Sequence, residues 1–307
     1  MSESRRRSAA AFSVGACIRD RASARARIWR SVAWAVAAVM CTWAMHAAAD
    51  DARTAFRPCI DPSNLPFANE KGEGFENRIA ELFAKQLGLP VQSYAFPQRM
   101  NFIRNTLRYK LPGEDFRCDI VMSVPATFDQ ASPTAPYYHS TYALVYRKGQ
   151  GLDSVKSGAD LFALPANVRD KLRIGIYDRS PAAIWLVRHG MEAQVKPFPM
   201  MSPNPEQYPG EIIEKDLAQG NIDAAVVWGP IAGYYAKRVR NVELAVIPLK
   251  SEPGVKFDYE IAMGVRQGER EWKATVDRLL VDNKAAIATI LREYNIPLVD
   301  AQGEPIN

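Results

Sequence analysis

The chain has 307 residues, 48% of them hydrophobic, which is enough for two separate cores, and its three histidines make a poor metal-ligand set. Its formal charge of +5 sits at the N-terminus: residues 1–49 hold eight arginines against Glu3 and Asp20, a net of +6, leaving −1 for the remaining 258 residues. The basic balance therefore gives no argument for nucleic-acid binding.

Arg5, Arg6, Arg7, Arg19, Arg21, Arg25 and Arg27 form an extended basic region. Ser31 to Met45 follows as an apolar run shorter than the roughly 20 residues a membrane span needs. Ala47-Ala48-Ala49 then offers a small-residue cleavage site before Asp50. These features predict an export signal over residues 1–49, cleaved near Ala49/Asp50, and a mature protein that does not span the membrane. The competing reading is an uncleaved anchor. Cys17 and Cys41 would leave with the leader, so only Cys59, Cys118, His139 and His189 remain of those residue types.

Phe56 opens a strand that runs into a proline-rich loop ending at Phe67. From Gly74 to Gly88, Phe75, Ile79, Leu82, Phe83 and Leu87 share one face, and Gly88 suits a helix stop. Val91–Phe96 reads as a strand, 101–108 as a short helix, 110–116 as a polar loop and 120–124 as a strand. Leu172–Tyr177 is the next strand, and Ser180-Pro181 reads as a capping serine followed by proline at the first helical position. Five prolines between Val195 and Pro209 exclude regular structure there. A helix over 212–219, strands over 222–228 and 259–265, and two helices over 269–282 and 283–294 complete the pattern. Strands alternating with helices predict an α/β architecture with a parallel sheet.

The order of elements from Phe56 to Pro297 resembles the periplasmic solute-binding proteins of family 3, the polar-amino-acid type. Gly74-Phe75-Glu76, Pro136-Tyr137-Tyr138 and Ile222-Asp223-Ala224-Ala225 are its markers. The resemblance implies a two-lobed type II periplasmic binding fold with a hinge and an interlobe cleft. Residues 50–140 would form the first part of lobe 1, 141–258 lobe 2, and 259–307 a segment returning to lobe 1. Crossovers would fall near Ser140-Thr141 and Asp258-Tyr259.

Longer blocks resemble a narrower group, the MoxJ/XoxJ-like proteins associated with quinoprotein dehydrogenases. They are Asp61-Pro62-Ser63-Asn64-Leu65-Pro66-Phe67 with Asn69-Glu70-Lys71-Gly72-Glu73-Gly74-Phe75-Glu76-Asn77, Phe96-Pro97-Gln98-Arg99 with Phe102-Ile103-Arg104-Asn105-Thr106-Leu107, and Val227-Trp228-Gly229-Pro230-Ile231-Ala232-Gly233-Tyr234-Tyr235. This resemblance implies an accessory protein that binds a periplasmic PQQ-dependent methanol or alcohol dehydrogenase and assists its assembly or activation. It implies no enzymatic activity and no cofactor held by the chain itself. The alternative is the substrate-binding component of an ABC transporter, working with a permease on a small non-amino-acid solute. An enzyme on this fold is a third class, and no residue pattern forces it.

An amino-acid receptor of this fold pairs an arginine after the third strand with the α-carboxylate, and a second-lobe aspartate with the α-ammonium. Here Ser123-Val124-Pro125-Ala126-Thr127-Phe128-Asp129-Gln130 contains no arginine, and Trp228-Gly229 stands in place of the acid. A zwitterion closed into such a cleft would bury unpaired charge, so amino-acid binding is not expected. Cleft candidates are Asp61, Asn64, Phe67, Asn69, Thr127, Tyr138, Ser180 and Trp228. Asp61, Asn64 and Asn69 have a competing role as turn-forming residues. Partner-contact candidates are Arg99, Arg104 and Tyr234, against a solvated face for the arginines and core packing for the tyrosine. Phe198-Pro199-Met200-Met201-Ser202-Pro203 is either a stiff docking loop or a loop packed on its own lobe. Cys59 and Cys118 lie at strands that neighbour each other in the implied fold, which leaves a disulfide and a pair of buried thiols both open. No metal site is expected.

Overall fold

The structure is a computed structural model and describes residues 53–98, 101–200 and 207–306. The expected leader, its cleavage site, Arg99 and the segment Met201–Pro203 lie outside the described residues.

The first half of the chain gives β1 (Pro58–Ile60), α1 (Phe75–Leu87), β2 (Tyr94–Ala95), α2 (Phe102–Asn105), β3 (Ile120–Pro125) and β4 (Tyr138–Arg147). The middle gives β5 (Ile174–Tyr177), α3 (Pro181–Arg188), β6 (Val195–Phe198), β7 (Ala224–Trp228), α4 (Gly229–Arg238) and β8 (Leu244–Pro248). The last part gives β9 (Asp258–Val265), α5 (Arg270–Asp282), α6 (Lys284–Glu293) and β10 (Leu298–Val299). The main path of the sheet runs β2-β1-β3-β9-β4-β7-β5-β6. Pairs β1–β2, β1–β3, β7–β5 and β5–β6 are parallel, as the alternation of strands and helices predicts.

Strand β4 joins the two halves. Tyr138 to Thr141 pair antiparallel with β9, whereas Tyr142 to Tyr146 pair with β7 and Ala143 to Arg147 with β8. Its partners thus change between Thr141 and Tyr142. Beyond that point Leu144 and Tyr146 enter a core with Trp185 and Phe257, while Ala143 and Val145 enter another with Ile213 and Val227. Strand period two sends neighbours to opposite faces, and here both faces are covered. The first lobe is built likewise: Phe56, Phe75, Phe83 and Trp272 pack on one side, and Ile103, Leu107 and Val121 on the other.

Two local expectations need correction. Val195–Phe198 is a strand despite Pro197, because it lies at the outer edge of the sheet, where a missing N–H is tolerated. Ser180 stands at the N-cap of α3, but its hydroxyl makes no capping bond and has no partner. The Ala183 N–H that a serine cap would satisfy points instead at the Ser180 carbonyl, 3.1 Å away.

The ends of the central first-lobe strands are tied by a buried charge cluster. Asp119, fully buried, accepts from Arg57 Nε at 2.7 Å and from Arg266 Nη2 at 2.5 Å. Arg266 also donates to the carbonyl of Leu107 at 3.1 Å, pairs with Glu269 and lies over the Phe116 ring at 4.1 Å. One guanidinium thus fastens β3, the end of β9, the start of α5 and the chain after α2. Beside it, Cys59 and Cys118 are joined as a disulfide with Cα atoms 5.3 Å apart.

Removing Asp119 would take the buried acceptor from both Arg57 and Arg266, leaving Arg266 only Glu269 as a carboxylate partner among the described residues. Asp119→Ala should therefore lower stability by about 3–5 kcal/mol, read from urea unfolding of the purified protein. A loss under about 1 kcal/mol would show the cluster to be dispensable.

Candidate functional site

The site begins with the way α1 starts. The loop Pro66–Ala68 lies directly on the helix N-terminus, and the N–H groups of Phe75 and Glu76 donate to the carbonyls of Pro66 and Phe67 at 2.8 and 2.9 Å. Gly74 permits this approach, since a Cβ there would stand 2.0 Å from the Phe67 carbonyl oxygen. Asn77 Oδ1 takes the Gly74 and Asn69 N–H groups at 3.0 and 3.1 Å. The first-turn donors are therefore used internally, and this helix start is not an anion site. What it presents to the cleft is the side chain of Glu76.

A cavity of about 580 Å³ lies between the lobes, a size suited to a small organic ligand. The first lobe contributes Asp61, Asn64, Phe67, Glu76, Ser123 and Tyr138; the second contributes Tyr177, Phe198, Tyr208, Glu211 and Trp228. Tyr142 and Tyr259, from the crossover strands, pack edge-on against Trp228 at 5.4 and 5.9 Å, forming an aromatic wall at the hinge. Nine aromatic side chains line the cavity, and no lysine, arginine or histidine stands among its described lining residues.

Three carboxyl groups face this space, and two are already satisfied. Asp61 accepts the N–H groups of Ser63 and Gln98, at 2.9 and 2.5 Å, and Glu211 pairs with Lys215 at 2.6 Å. Glu76 is only 7% exposed and has no cationic partner among the described residues. Burial pushes its carboxyl up to about 7; a hydrogen bond with Ser123 opposes this and the nearby Asp61 adds to it. Tyr137 donates its only proton to the Met122 carbonyl at 2.9 Å, and its oxygen stands 3.2 Å from Ser123 Oγ. Ser123 can therefore donate to Tyr137 while protonated Glu76 donates to Ser123, or turn its proton to Glu76 when that group ionises. The Tyr138 hydroxyl is buried at the same place without a hydrogen-bond partner, and burial holds its proton far above the usual range.

The sequence candidates divide accordingly. Asp61, Asn64, Phe67, Tyr138 and Trp228 line the cavity. Asp61 also forms the expected turn, and Asn64 Nδ2 donates to Gln98 Oε1 at 2.9 Å. Asn69 does not line the cavity: its amide holds Glu73 at 2.7 Å and receives the Glu73 N–H at 2.8 Å. Thr127 is exposed in the turn after β3, outside the cavity, and Ser180 is buried at the start of α3 away from it. Arg104 is exposed on α2 next to the lining residue Phe102. Tyr234 packs on the return segment, stacked 5.8 Å from Tyr294. Phe198, Pro199 and Met200 line the cavity, so the described part of the proline-rich loop packs against the cleft.

Sequence reasoning missed Glu76, Tyr177, Tyr208 and Tyr259 as lining residues. For Glu76 a signal was present: at spacings of three, four and seven it shares the helix face of Ile79, Ala80 and Phe83, so it is an acid on the apolar stripe.

No family model matches the chain. The fold and the cleft place it in the class of two-lobed type II periplasmic binding proteins. The crystal structure of the periplasmic binding protein XoxJ from Methylobacterium extorquens AM1 superposes with a TM-score of 0.64 at 32% identity, over 80% of this chain and 99% of that one. MxaJ from Methlophaga aminisulfidivorans shares the fold with a TM-score of 0.66 at 22% identity, over 80% and 100% of the two chains. Protein MoxJ of Paracoccus denitrificans is 26% identical over 265 residues, 80% of this chain and 90% of that protein. The chain belongs to the XoxJ family of periplasmic binding proteins.

The buried carboxyl sets a pH dependence. Its folded pKa is raised from 4.5 to about 7, so the folded state binds more protons than the unfolded one between those values, and stability falls as pH rises through that window. Glu76→Gln removes this penalty. The variant should exceed the wild type by about 3 kcal/mol above pH 8 and match it near pH 4, measured by urea unfolding at both pH values. A variant less stable at pH 8 would show the carboxylate to be favourably placed in the empty cleft.

Proposed function

We propose that this protein works in the periplasm as an accessory of a PQQ-dependent methanol or alcohol dehydrogenase, assisting its assembly or activation by binding and not by catalysis. In this reading a leader is removed near Ala49/Asp50, residues 50–140 and 259–307 form one lobe and residues 141–258 the other, and the cleft between them clasps its ligand. The observation that carries it is a binding-protein cleft whose described lining has neither the arginine nor the free second-lobe acid that a zwitterion requires. Glu211, the second-lobe acid, is already paired with Lys215. Membership of the XoxJ family and the resemblance of the blocks around Asp61, Phe102 and Trp228 support a dehydrogenase as the partner. The mature protein should recover a co-encoded dehydrogenase from periplasmic extract and raise its activity. Absence of both effects with correctly folded protein would remove the accessory role.

One observation favours a second reading: the cavity is large and aromatic enough to hold a free solute. Under it the chain is the substrate-binding component of an ABC transporter for a small non-amino-acid solute. Neighbouring permease and ATPase genes, in place of dehydrogenase and cytochrome genes, would favour it.

Two outcomes follow. Calorimetry with the twenty amino acids should detect nothing tighter than about 1 mM, roughly −4 kcal/mol; a micromolar ligand among them would return the protein to the amino-acid receptors. Arg104→Ala and Trp228→Ala should each weaken dehydrogenase binding by about 2 kcal/mol if these side chains anchor the complex. Melting temperatures taken alongside separate contact from packing, because Trp228 packs on Tyr142 and Tyr259, whereas Arg104 is exposed. Unchanged binding in both folded variants would remove them from the interface.

A further inference from the structure

We infer that the cleft is a cation-selective site: it takes an alkyl- or arylammonium group carried on an apolar body, with the Glu76 carboxylate as counter-ion and the Tyr138 hydroxyl as a second acceptor. The inference goes beyond the accessory role and stands whether or not a dehydrogenase is the partner.

Three observations converge on it. Glu76 meets only the Ser123 hydroxyl and has no cationic partner among the described residues, whereas Asp61 is held by two backbone N–H groups and Glu211 by Lys215. The Tyr138 hydroxyl, on a residue 93% buried, lines the same cavity and makes no hydrogen bond of ordinary geometry, only a weaker interaction with the Ser123 hydroxyl that also serves Glu76. An ammonium brings three N–H donors and no acceptor, which is what a carboxylate and an unpaired hydroxyl oxygen lack. The walls are aromatic, and rings such as those of Trp228, Tyr142 and Tyr177 can attract a cation while covering its apolar body, whereas the Tyr259 and Tyr208 rings already lie under Lys256 and Lys215.

The same features reject anions. No lysine, arginine or histidine is present among the described lining residues, and the N-terminus of α1 has given its free N–H groups to the Pro66 and Phe67 carbonyls. A ligand bearing carboxylates would meet Glu76 and Asp61 without a counter-charge, at a cost of several kcal/mol. A free amino acid fails for its carboxylate and not for its ammonium. The polycarboxylate quinone cofactor of the proposed partner fails for the same reason, so the cleft is not a carrier for it.

Binding a cation requires Glu76 to be ionised. The groups facing it are Asp61 from the loop after β1, Ser123 from β3, and Tyr137 and Tyr138 at the start of β4. The tyrosines stay neutral throughout the accessible range, because burial holds their protons well above the usual value. The carboxyl with the raised pKa is thus the group whose ionisation gates the site, and a bound ammonium releases its proton.

The test uses the mature protein, isothermal calorimetry and matched probes: phenethylamine, the neutral 2-phenylethanol and the anionic 3-phenylpropionate. A short peptide with one lysine between apolar residues, blocked at both ends, distinguishes a free amine from a side chain offered by a partner protein. At pH 8 the free amine or the peptide should bind below about 1 mM, and the anion should not bind. Affinity should fall roughly tenfold for each pH unit below about 7, with proton release seen as a heat that depends on the buffer. Glu76→Gln should lose at least about tenfold in affinity and all of the proton release, while its unfolding curve shows an intact fold. Phenethylamine binding assigns the site to a free amine, and binding of the peptide alone assigns it to a partner's lysine. Three results would each overturn the inference: no binding by either cation, equal binding of 3-phenylpropionate, or unchanged amine affinity in folded Glu76→Gln.

Discussion

The backbone ladder of β4 is the constraint on which the rest of this molecule rests. A single ten-residue strand is hydrogen-bonded to β9 over its first four residues and to β7 and β8 over the remaining six. A strand cannot be shared without fixing where the two halves meet. Here the meeting point is sealed by side chains on both sides: Ser140 donates to the Pro297 carbonyl at 2.5 Å and Thr141 to the Leu249 carbonyl at 2.6 Å. His139 meets Asp258 across the same strands at 2.8 Å. Burial opposes it, but bonds from Ser251 and His139 hold the Asp258 carboxyl below its usual range. The aromatic wall of Tyr142, Trp228 and Tyr259 is a direct consequence, because all three lie on strands that converge at this crossover. Any rotation of one lobe on the other must reshape that wall, which joins cleft geometry to hinge geometry.

The second lobe is also tied to the first by close backbone approach. Tyr235 donates to the Leu65 carbonyl at 3.0 Å, and Asn295 donates to the Gly233 carbonyl at 3.0 Å. A Cβ at Gly233 would stand 1.9 Å from the Asn295 carbonyl oxygen. The block Trp228 to Tyr235, which carries part of the family resemblance, thus has a physical reason for its composition. Its tryptophan faces the cleft and its second glycine lets the lobes touch.

Two buried acids show how the fold separates structure from binding. Asp119 is fully buried and answered by two guanidinium groups, so its charge is a fastening between strand ends. Glu76 is nearly as buried but meets only hydroxyl groups, another acid and aromatic rings. Burial of a charge is tolerated when it is paired and shifts the proton equilibrium when it is not. A group left in the second condition inside a cavity is poised to respond to whatever enters.

The sequence by itself determined the architecture and the exclusions. Its alternating periodicities gave the parallel units, because side-chain period follows from backbone geometry alone. The missing arginine near Thr127 and the Trp228-Gly229 pair made an amino-acid site unexpected, since residue type decides charge whatever the fold. Asp61, Asn64, Phe67, Tyr138 and Trp228 were readable as cleft residues because they stand in loops and strand ends that face the cleft in this architecture. Only the tertiary structure decided the rest. Asn69 and Ser180 are small polar residues whose side chains serve either a turn or a cavity, and which of these each does depends on how its loop is set against the rest of the fold. Val195–Phe198 is a strand because it lies at a sheet edge, a property of neighbours that no local pattern encodes. Glu76 was visible as an acid on an apolar stripe, but an acid there is a solvated edge, a paired charge or a ligand group according to what stands opposite. That is fixed by strands β3 and β4, 47 and 62 residues further along the chain at Ser123 and Tyr138, and desolvation depends on the whole surrounding volume rather than on any segment of sequence.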